Sequence, residues 1–437
     1  MTLDETHEPA LSSWVESAVG HAEFPIQNLP YCIWRPAGSS AHPRAGTGIG
    51  DFILDLSGLG DAIAVAPEAR AALSAAASGA TLNALMALAP RDWRALRRWL
   101  VAVLRLENAA QGERLRHLLT PQGDCTFSVP ATVGDFTDFY ASLAHVLNGS
   151  RINRPGDAFP PSFKWMPLGY HGRSSSIVVS GTPVVRPAGQ QLDGDAPRFA
   201  PTRMLDHEAE LAFYMGQGNR LGEPIPIETA HEYLFGCSLL IDWSARDIQT
   251  WEMKPVGPLL GKDFCTTVSP WVVTMDALAP FLLPRLPRAW DDPQPLPHLD
   301  CPRDRAKGAI DIVIEAAIQT AAMRADTNSA PERISRGAYR EHYWTIAQMV
   351  AHHASNGLNL RPGDILATGT ISSDGPDGGG CLLELARRGT SPIRLASGET
   401  RAFLEDGDIL QLSARCDRPG YAGIGFGSAS GLVVLRS

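Results

Sequence analysis

From about residue 174 to the C-terminus, Gly and Pro cut the chain into short apolar runs, and this punctuation limits the fold more than any other feature. The segments SSIVVSGTPVV, ELAFYMG, SPWVVTM, GAIDIVIEAAIQ, DILATGTIS, CLLELA, DILQLSA and GLVVL carry the β-branched and large apolar residues that fit a pleated sheet, and turn residues close each one. Helical spacing is found at 137–148, 229–235, 243–251 and 343–355, the last ended by Asn356-Gly357 as a C-cap. RPGD at 361–364 places Pro and Gly where a type II turn needs them, and the Pro-rich stretch from about 280 to 304 reads as loop. The expectation is a mainly β C-terminal domain with long loops.

Upstream, FPIQNLPYCIW and GIGDFILDL between Phe24 and Leu56 read as strands of a small β-rich unit. Residues 67–117 carry Ala, Leu and Arg at helical spacing, with Pro67 and Pro90 placed as helix starts. The spacing predicts an N-terminal domain over 1–125 and a larger C-terminal domain over 126–437. With 44% hydrophobic residues in 437, the chain can bury two cores.

Charge and cysteine usage exclude several functions. The balance of 38 Lys+Arg against 47 Asp+Glu gives a net charge of -9 with no basic stripe, which argues against nucleic acid as a partner. An acidic substrate then requires local cations, from a few Arg and Lys or from a metal. The seven Cys are odd in number and scattered, with no C-x-x-C pair, and read as reduced cytosolic thiols. The N-terminus lacks a signal-peptide pattern, and no run of apolar residues is long enough to span a membrane, so a cytoplasmic protein is expected. GTGIG and GIGFG lack the spacing and context of a dinucleotide-binding turn.

Several acids are harder to read as surface. In GDFTDFYASLAHVLN, Thr137 as N-cap places Asp138 in a first helical turn, where the helix dipole alone accounts for a carboxylate. His145 then falls about two turns along the same face, roughly 10 Å away, a gap that fits a small substrate. Glu208 and Glu210 alternate along a strand opposite Leu205, Ala209, Leu211 and Phe213, and a solvated face explains them equally well. Asp242 ends the apolar run LFGCSLLID, where a carboxylate is costly unless paired or on a metal. Arg246 and Gln249 follow it at helical spacing, and an ordinary Asp-Arg helix pair is the alternative reading. Lys262 follows a Gly in an apolar neighbourhood, though a turn lysine in solvent is the commoner case, and Leu-flanked Glu384 calls for a buried partner such as His. Together Asp138, Glu208, Glu210 and Asp242 make an all-oxygen set suited to Ca²⁺, Mg²⁺ or Mn²⁺, while zinc is disfavoured for want of clustered His or Cys. His352 and His353 point in different directions from one helix and read as structural.

The strings FPIQNLPY, GDFTDFY, LGYHGR, GNRLGEPIPI, DWSARDIQ, LGKDF, TTVSPWVV, NLRPGD, GTIS and GIGFG resemble the fumarylacetoacetate hydrolase family from about Phe24 to the C-terminus. The resemblance implies an SH3-like barrel followed by a β-sandwich roll, a homodimer, and metal-dependent hydrolysis of a diketo acid's carbon-carbon bond, yielding fumarate and acetoacetate in tyrosine and phenylalanine degradation. It implies Ca²⁺ or Mg²⁺ on Asp138, Glu208, Glu210 and Asp242, with Lys262 and Thr266 beside a second, smaller cation site. It further implies His145 as general base oriented by Glu384, Arg246, Gln249 and Lys262 around the leaving carbon acid, and Tyr140, Arg154, Tyr170 and Thr370 as substrate contacts. Met253 stands where the family has a substrate-contacting Tyr, so it lines the pocket without that hydrogen bond, and Cys265 stands for a Gly. An acylpyruvate hydrolase or decarboxylase of the same superfamily is the rival activity, and a non-catalytic cation-binding protein the rival class.

Overall fold

Five antiparallel strands form the N-terminal sheet in the computed structural model, in the order Leu119–Pro121, Phe52–Asp55, Arg44–Ile49, Tyr31–Pro36, Cys125–Ser128. The structure describes residues 2–153, 160–326 and 329–435. Helix α1 (Pro90–Leu104) begins at the proline that the sequence marks, and Asp92 accepts back from the Ala89 N–H at 3.2 Å. Its buried stripe of Trp93, Leu96, Leu100 and Leu104 recurs at helical spacing and enters the core of this curled sheet.

The central sheet has eight strands. We label those that matter below β1 (Phe136–Tyr140), β2 (Leu168–Gly172), β3 (Ile177–Val179), β4 (Leu205–Met215), β5 (Leu234–Ala245), β6 (Thr266–Val268) and β7 (Ile365–Ala367), with helices α2 (Leu143–Asn153), α3 (Arg246–Glu252), α4 (Ile346–His353) and α5 (Leu382–Leu385). The order is β2-β1-β7-β4-β5-β6-β3, and Val273–Thr274 pairs with β5. A five-stranded sheet (Glu332–Ala338, Val313–Gln319, Ile409–Cys416, Ile424–Val434, Val184–Val185) packs its Ile314, Ala316, Leu412 and Ala429 into one core with Leu211, Phe213, Leu239 and Ile241 of β4 and β5.

The other face of the central sheet is divided. At one end Phe136, Ala212, Tyr214, Leu240, Val268, Ile365 and Ala367 belong to the core of the N-terminal unit. Further along the same face come Asp138, Glu210, Glu208 and Asp242, because residues two apart on a strand share a side. Every residue of β4 and β5 is therefore buried, and neither face is solvated.

Several expectations are corrected. Residues 137–148 are not one helix: Phe136–Tyr140 is a strand, and the helix starts at Leu143, where Ser142 Oγ accepts from the His145 N–H at 3.3 Å. Alternating Phe136, Asp138 and Tyr140 is a period of two, with aromatic residues that favour the sheet. Residues 229–235 hold only a 3-10 turn, Ala230–Tyr233, before β5. Of 243–251, the first three residues finish β5 and the helix is Arg246–Glu252, so Asp242 is not on Arg246's helix. CLLELA contains the short helix α5 and no strand. Helix α4 is shorter than 343–355, capped by Thr345, and Gly357 ends the following turn at φ 85. Helix, at 27%, nearly equals strand, at 29%, so the chain is a mixed fold rather than mainly β.

Candidate active site

The acids converge through strand register. Glu208 pairs with Asp242 across β4 and β5, Asp242 with Thr266 across β5 and β6, and Asp138 with Tyr170 across β1 and β2. Parallel β1 and β7 put Asp138 beside Ala367, two strands from β4. One oxygen from each of Asp138, Glu208, Glu210 and Asp242 lies within 4.8 Å of the others, and all four residues are buried.

These carboxylates are only partly satisfied. Tyr170 donates its hydroxyl to Asp138 at 2.8 Å and to Asp242 at 3.0 Å; Lys262 Nζ donates to Glu208 and to Asp242, both at 2.5 Å. The Gly369 N–H donates to Glu210 Oε2 at 3.1 Å. Asp138 Oδ1 and Glu210 Oε1 remain buried without a partner. Burial first, and then the charge of Asp242, pushes the Asp138 carboxyl up to about 8. Glu210 is pushed well above the usual range by burial and by Asp138 and Asp242, and burial also raises Asp242 in spite of Lys262. Burial raises Glu208 too, but the cations Lys262 and Arg246 outweigh it and hold that group below its ordinary range. Crowded buried acids with orphaned oxygens are a donor set short of positive charge, and a hard divalent cation fits it.

Beside this cluster stands the second group. His145 Nδ1 lies 2.9 Å from Glu384 Oε2, with both side chains buried. Glu384 also accepts from Asn148 Nδ2 at 2.9 Å, Ser372 Oγ at 2.8 Å, the Gly380 N–H at 3.2 Å and Cys381 Sγ at 3.3 Å. Burial opposes its charge, yet His145 and these donors hold the carboxyl down at about 2. A carboxylate so held accepts the Nδ1 proton and leaves Nε2 with the free lone pair. Tyr140, on the Asp138 side of β1, meets the His145 ring edge-on with centroids 5.2 Å apart.

Arg246 joins the two groups, donating Nε to Asp206 at 2.8 Å and Nη1 to Glu208 at 2.6 Å, and to Gln249 Oε1 at 3.3 Å. Asp206 also accepts the N–H groups of Leu382 and Leu383, at 2.8 and 2.9 Å, and so caps the helix that carries Glu384. The sequence reading passed over Asp206. Its signal was there, since Asp206, Glu208 and Glu210 continue one alternation. Thr370 is buried with its hydroxyl unpartnered, Thr266 is buried next to Asp242, Cys265 is buried, and Met253 is half-buried at the end of α3. Arg154 lies outside the described residues. The two-turn helical relation between Asp138 and His145 does not exist; a strand-to-helix turn separates them. His353 donates to or accepts from Thr137 Oγ1 at 2.9 Å and packs edge-on against Phe139.

Fold and site together define a class: an enzyme that works with a divalent cation held by carboxylates, with a histidine-carboxylate pair alongside. The model of the fumarylacetoacetate (FAA) hydrolase C-terminal region matches residues 136–434, and that of the fumarylacetoacetase N-terminal region matches 27–130. The chain belongs to the fumarylacetoacetate hydrolase family. It is 43% identical to the fumarylacetoacetase of Bos taurus over 421 residues, covering 94% of this chain and 96% of the relative, and 42% identical to that of Oryza sativa over 440 residues, covering 99% of each. Among solved structures, a putative HpcE protein from Mycobacterium smegmatis superposes with a TM-score of 0.52 at 19% identity, over 93% of this chain and 100% of the other, which shows the shared fold.

Proposed function

We propose that this chain hydrolyses the carbon-carbon bond of 4-fumarylacetoacetate to fumarate and acetoacetate, in the breakdown of tyrosine and phenylalanine. The observation that carries the reading is the placement of a His145–Glu384 pair beside four converging carboxylates, in a chain that matches fumarylacetoacetases along nearly its whole length. We assign the cation to Ca²⁺ or Mg²⁺, since every ligand is a hard oxygen. We also assign 1–125 to an SH3-like unit and 126–437 to a β-roll catalytic unit, and the enzyme to a cytoplasmic homodimer; among the described residues no helix is long and apolar enough to cross a membrane.

Breaking a carbon-carbon bond by water needs a sink for the departing electron pair, and a β-diketone supplies one on oxygen. A divalent cation on Asp138, Glu208, Glu210 and Asp242 contributes Lewis acidity toward that diketone. His145 Nε2 takes a proton from water as the oxygen adds to the carbonyl carbon, and Glu384 steadies the resulting imidazolium. The bond then breaks with its electron pair moving into the acetoacetate enolate, and the proton held on His145 returns to the leaving carbon or to solvent. Lys262 spends two of its three N–H groups on Glu208 and Asp242, which leaves one for the enolate oxygen. Gln249 accepts from Arg246 through Oε1 and keeps its amide N–H groups for the same oxygen. Tyr140, Tyr170, Met253 and Thr370 are assigned to line the substrate, and the resemblance gives Arg154 the role of binding a terminal carboxylate. The test is loss of the diketone's ultraviolet absorbance by the purified enzyme, before and after chelation and after Mg²⁺ or Ca²⁺ is restored. Turnover indifferent to the chelator excludes the cation's part, and turnover of acylpyruvates in preference to 4-fumarylacetoacetate establishes the rival hydrolase.

A further inference from the structure

Sequence spacing disfavours zinc because no His and Cys stand close together, but the fold brings one of each against a shared carboxylate. Residues 145, 381 and 384 come from α2, the turn before α5 and α5 itself. One ligand atom from each of His145, Cys381 and Glu384 lies within 4.8 Å of the others, and all three residues are buried. His145 Nδ1 is 2.9 Å, and Cys381 Sγ 3.3 Å, from the same oxygen, Glu384 Oε2. This set differs in kind from the neighbouring acids: thiol and imidazole are soft and borderline donors, whereas the four carboxylates are hard.

We propose that His145, Cys381 and Glu384 form a second cation site, selective for Zn²⁺ or Cd²⁺, whose occupation switches the enzyme off. Ligands at about 2.0 Å for nitrogen and oxygen and about 2.3 Å for sulfur need the three atoms to part by a few tenths of an ångström from their 2.9 and 3.3 Å separations, with a water or substrate oxygen as fourth ligand. The protons balance as follows. Cys381 gives up its S–H proton to solvent and binds as thiolate. His145 keeps its single ring proton but must carry it on Nε2, because Nδ1 now binds the ion. One proton is released for each ion bound to neutral His145, and the nitrogen that should accept a proton from water becomes an N–H. Inhibition follows from this forced tautomer even while the hard cation stays on its own ligands. That last consequence rests on the proposed role of His145 as base, whereas the binding does not.

The test therefore reads binding and activity separately on the Mg²⁺-loaded enzyme. Cd²⁺ titration should raise a thiolate-to-metal absorption band in the ultraviolet that is missing from the Cys381→Ser enzyme, whose six other cysteines are unchanged. Zn²⁺ should inhibit the parent enzyme, and each enzyme is compared with its own zinc-free rate. The concentration for half-inhibition should rise roughly tenfold or more in Cys381→Ser, since one of three protein ligands loses its soft atom. Added Mg²⁺ should not relieve the effect. Equal Cd²⁺ bands in the two enzymes overturn the site, as does zinc inhibition that excess Mg²⁺ reverses, which would place the ion among the carboxylates. A Cys381-dependent band without any inhibition keeps the site and instead refutes His145 as the base.

Discussion

The charge on Glu384 can be removed with little change of shape by Glu384→Gln. In the structure Oε2 takes four donors, from His145, Ser372, Gly380 and Cys381, while among the described residues Oε1 takes only Asn148 Nδ2. The new amide nitrogen has one comfortable place, opposite Asn148, whose own amide can turn over to offer its oxygen. The glutamine oxygen then keeps the Oε2 contacts, including the Nδ1 proton of His145, so tautomer and ring position survive and only the charge is lost. That charge is coupled to its surroundings, His145 foremost among the stabilising groups, strongly enough to move the carboxyl from 4.5 to about 2 against its burial. At about 1.4 kcal/mol per pH unit the net shift is about 3 kcal/mol, shared by His145, Asn148 and Ser372, and loss of the His145 share from the imidazolium predicts a fall in kcat of roughly 10 to 10². Steady-state kinetics and metal analysis should find KM and cation content near those of the parent. His145→Ala should cost at least as much, with little added in the double variant, because the two residues act as a unit. A kcat within a few-fold of the parent, or losses that multiply in the double variant, would refute the pairing and leave Glu384 as a buried structural acid.

Asp242→Asn should lose most of its divalent cation by elemental analysis, and its turnover with it, while circular dichroism shows the fold retained; full metal occupancy would remove Asp242 from the ligand set. Gly369 has φ +73, and an added Cβ would stand 2.0 Å from the Phe139 carbonyl oxygen, so Gly369→Ala should push the N–H away from Glu210 and lower Mg²⁺ affinity as well as Tm, by ~1–3 kcal/mol of strain. His342 is buried with both ring nitrogens unpartnered, and burial, aided by His145, lowers it from 6.5 to about 3. The unfolded chain binds this proton first, so stability is lost as the pH falls below 6.5, by about 2 kcal/mol at pH 5, and the loss levels off only near pH 3. His342→Met should flatten that limb of a Tm-against-pH curve, and an unchanged limb would assign it to other groups.

What the sequence disclosed depended on whether a residue's neighbours were near it in the chain. Glu208 and Glu210 were legible because β4 alternates, and Asp242 because it ends an apolar run, but the solvated face offered as an alternative is absent, since the N-terminal unit and the five-stranded sheet cover both sides. Asp138 drew notice as sharing a helical face with His145, but the period of two in Phe136–Tyr140 makes that segment a strand paired with β2 and β7. Glu384 was rightly read as buried, yet its segment is a helical turn whose cap, Asp206, comes from β4, 178 residues upstream. The place of Cys381 beside His145 and Glu384 could not be seen, because 236 residues separate it from His145 and nothing in its local sequence marks it.

One face of the central sheet is apolar where the N-terminal unit rests on it and acidic just beyond. The two regions share β1, β4 and β5, so they are linked thermodynamically, and a cation that binds only the folded carboxylates must stabilise the apolar junction by the same free energy. Calorimetry should therefore record a single transition, metal-dependent in both halves, in place of separate melting of an accessory unit and an enzyme. Deleting the N-terminal unit would not release a smaller catalyst; it would wet Tyr214, Leu240, Val268 and Phe136 and open a water channel to the ligands beside them.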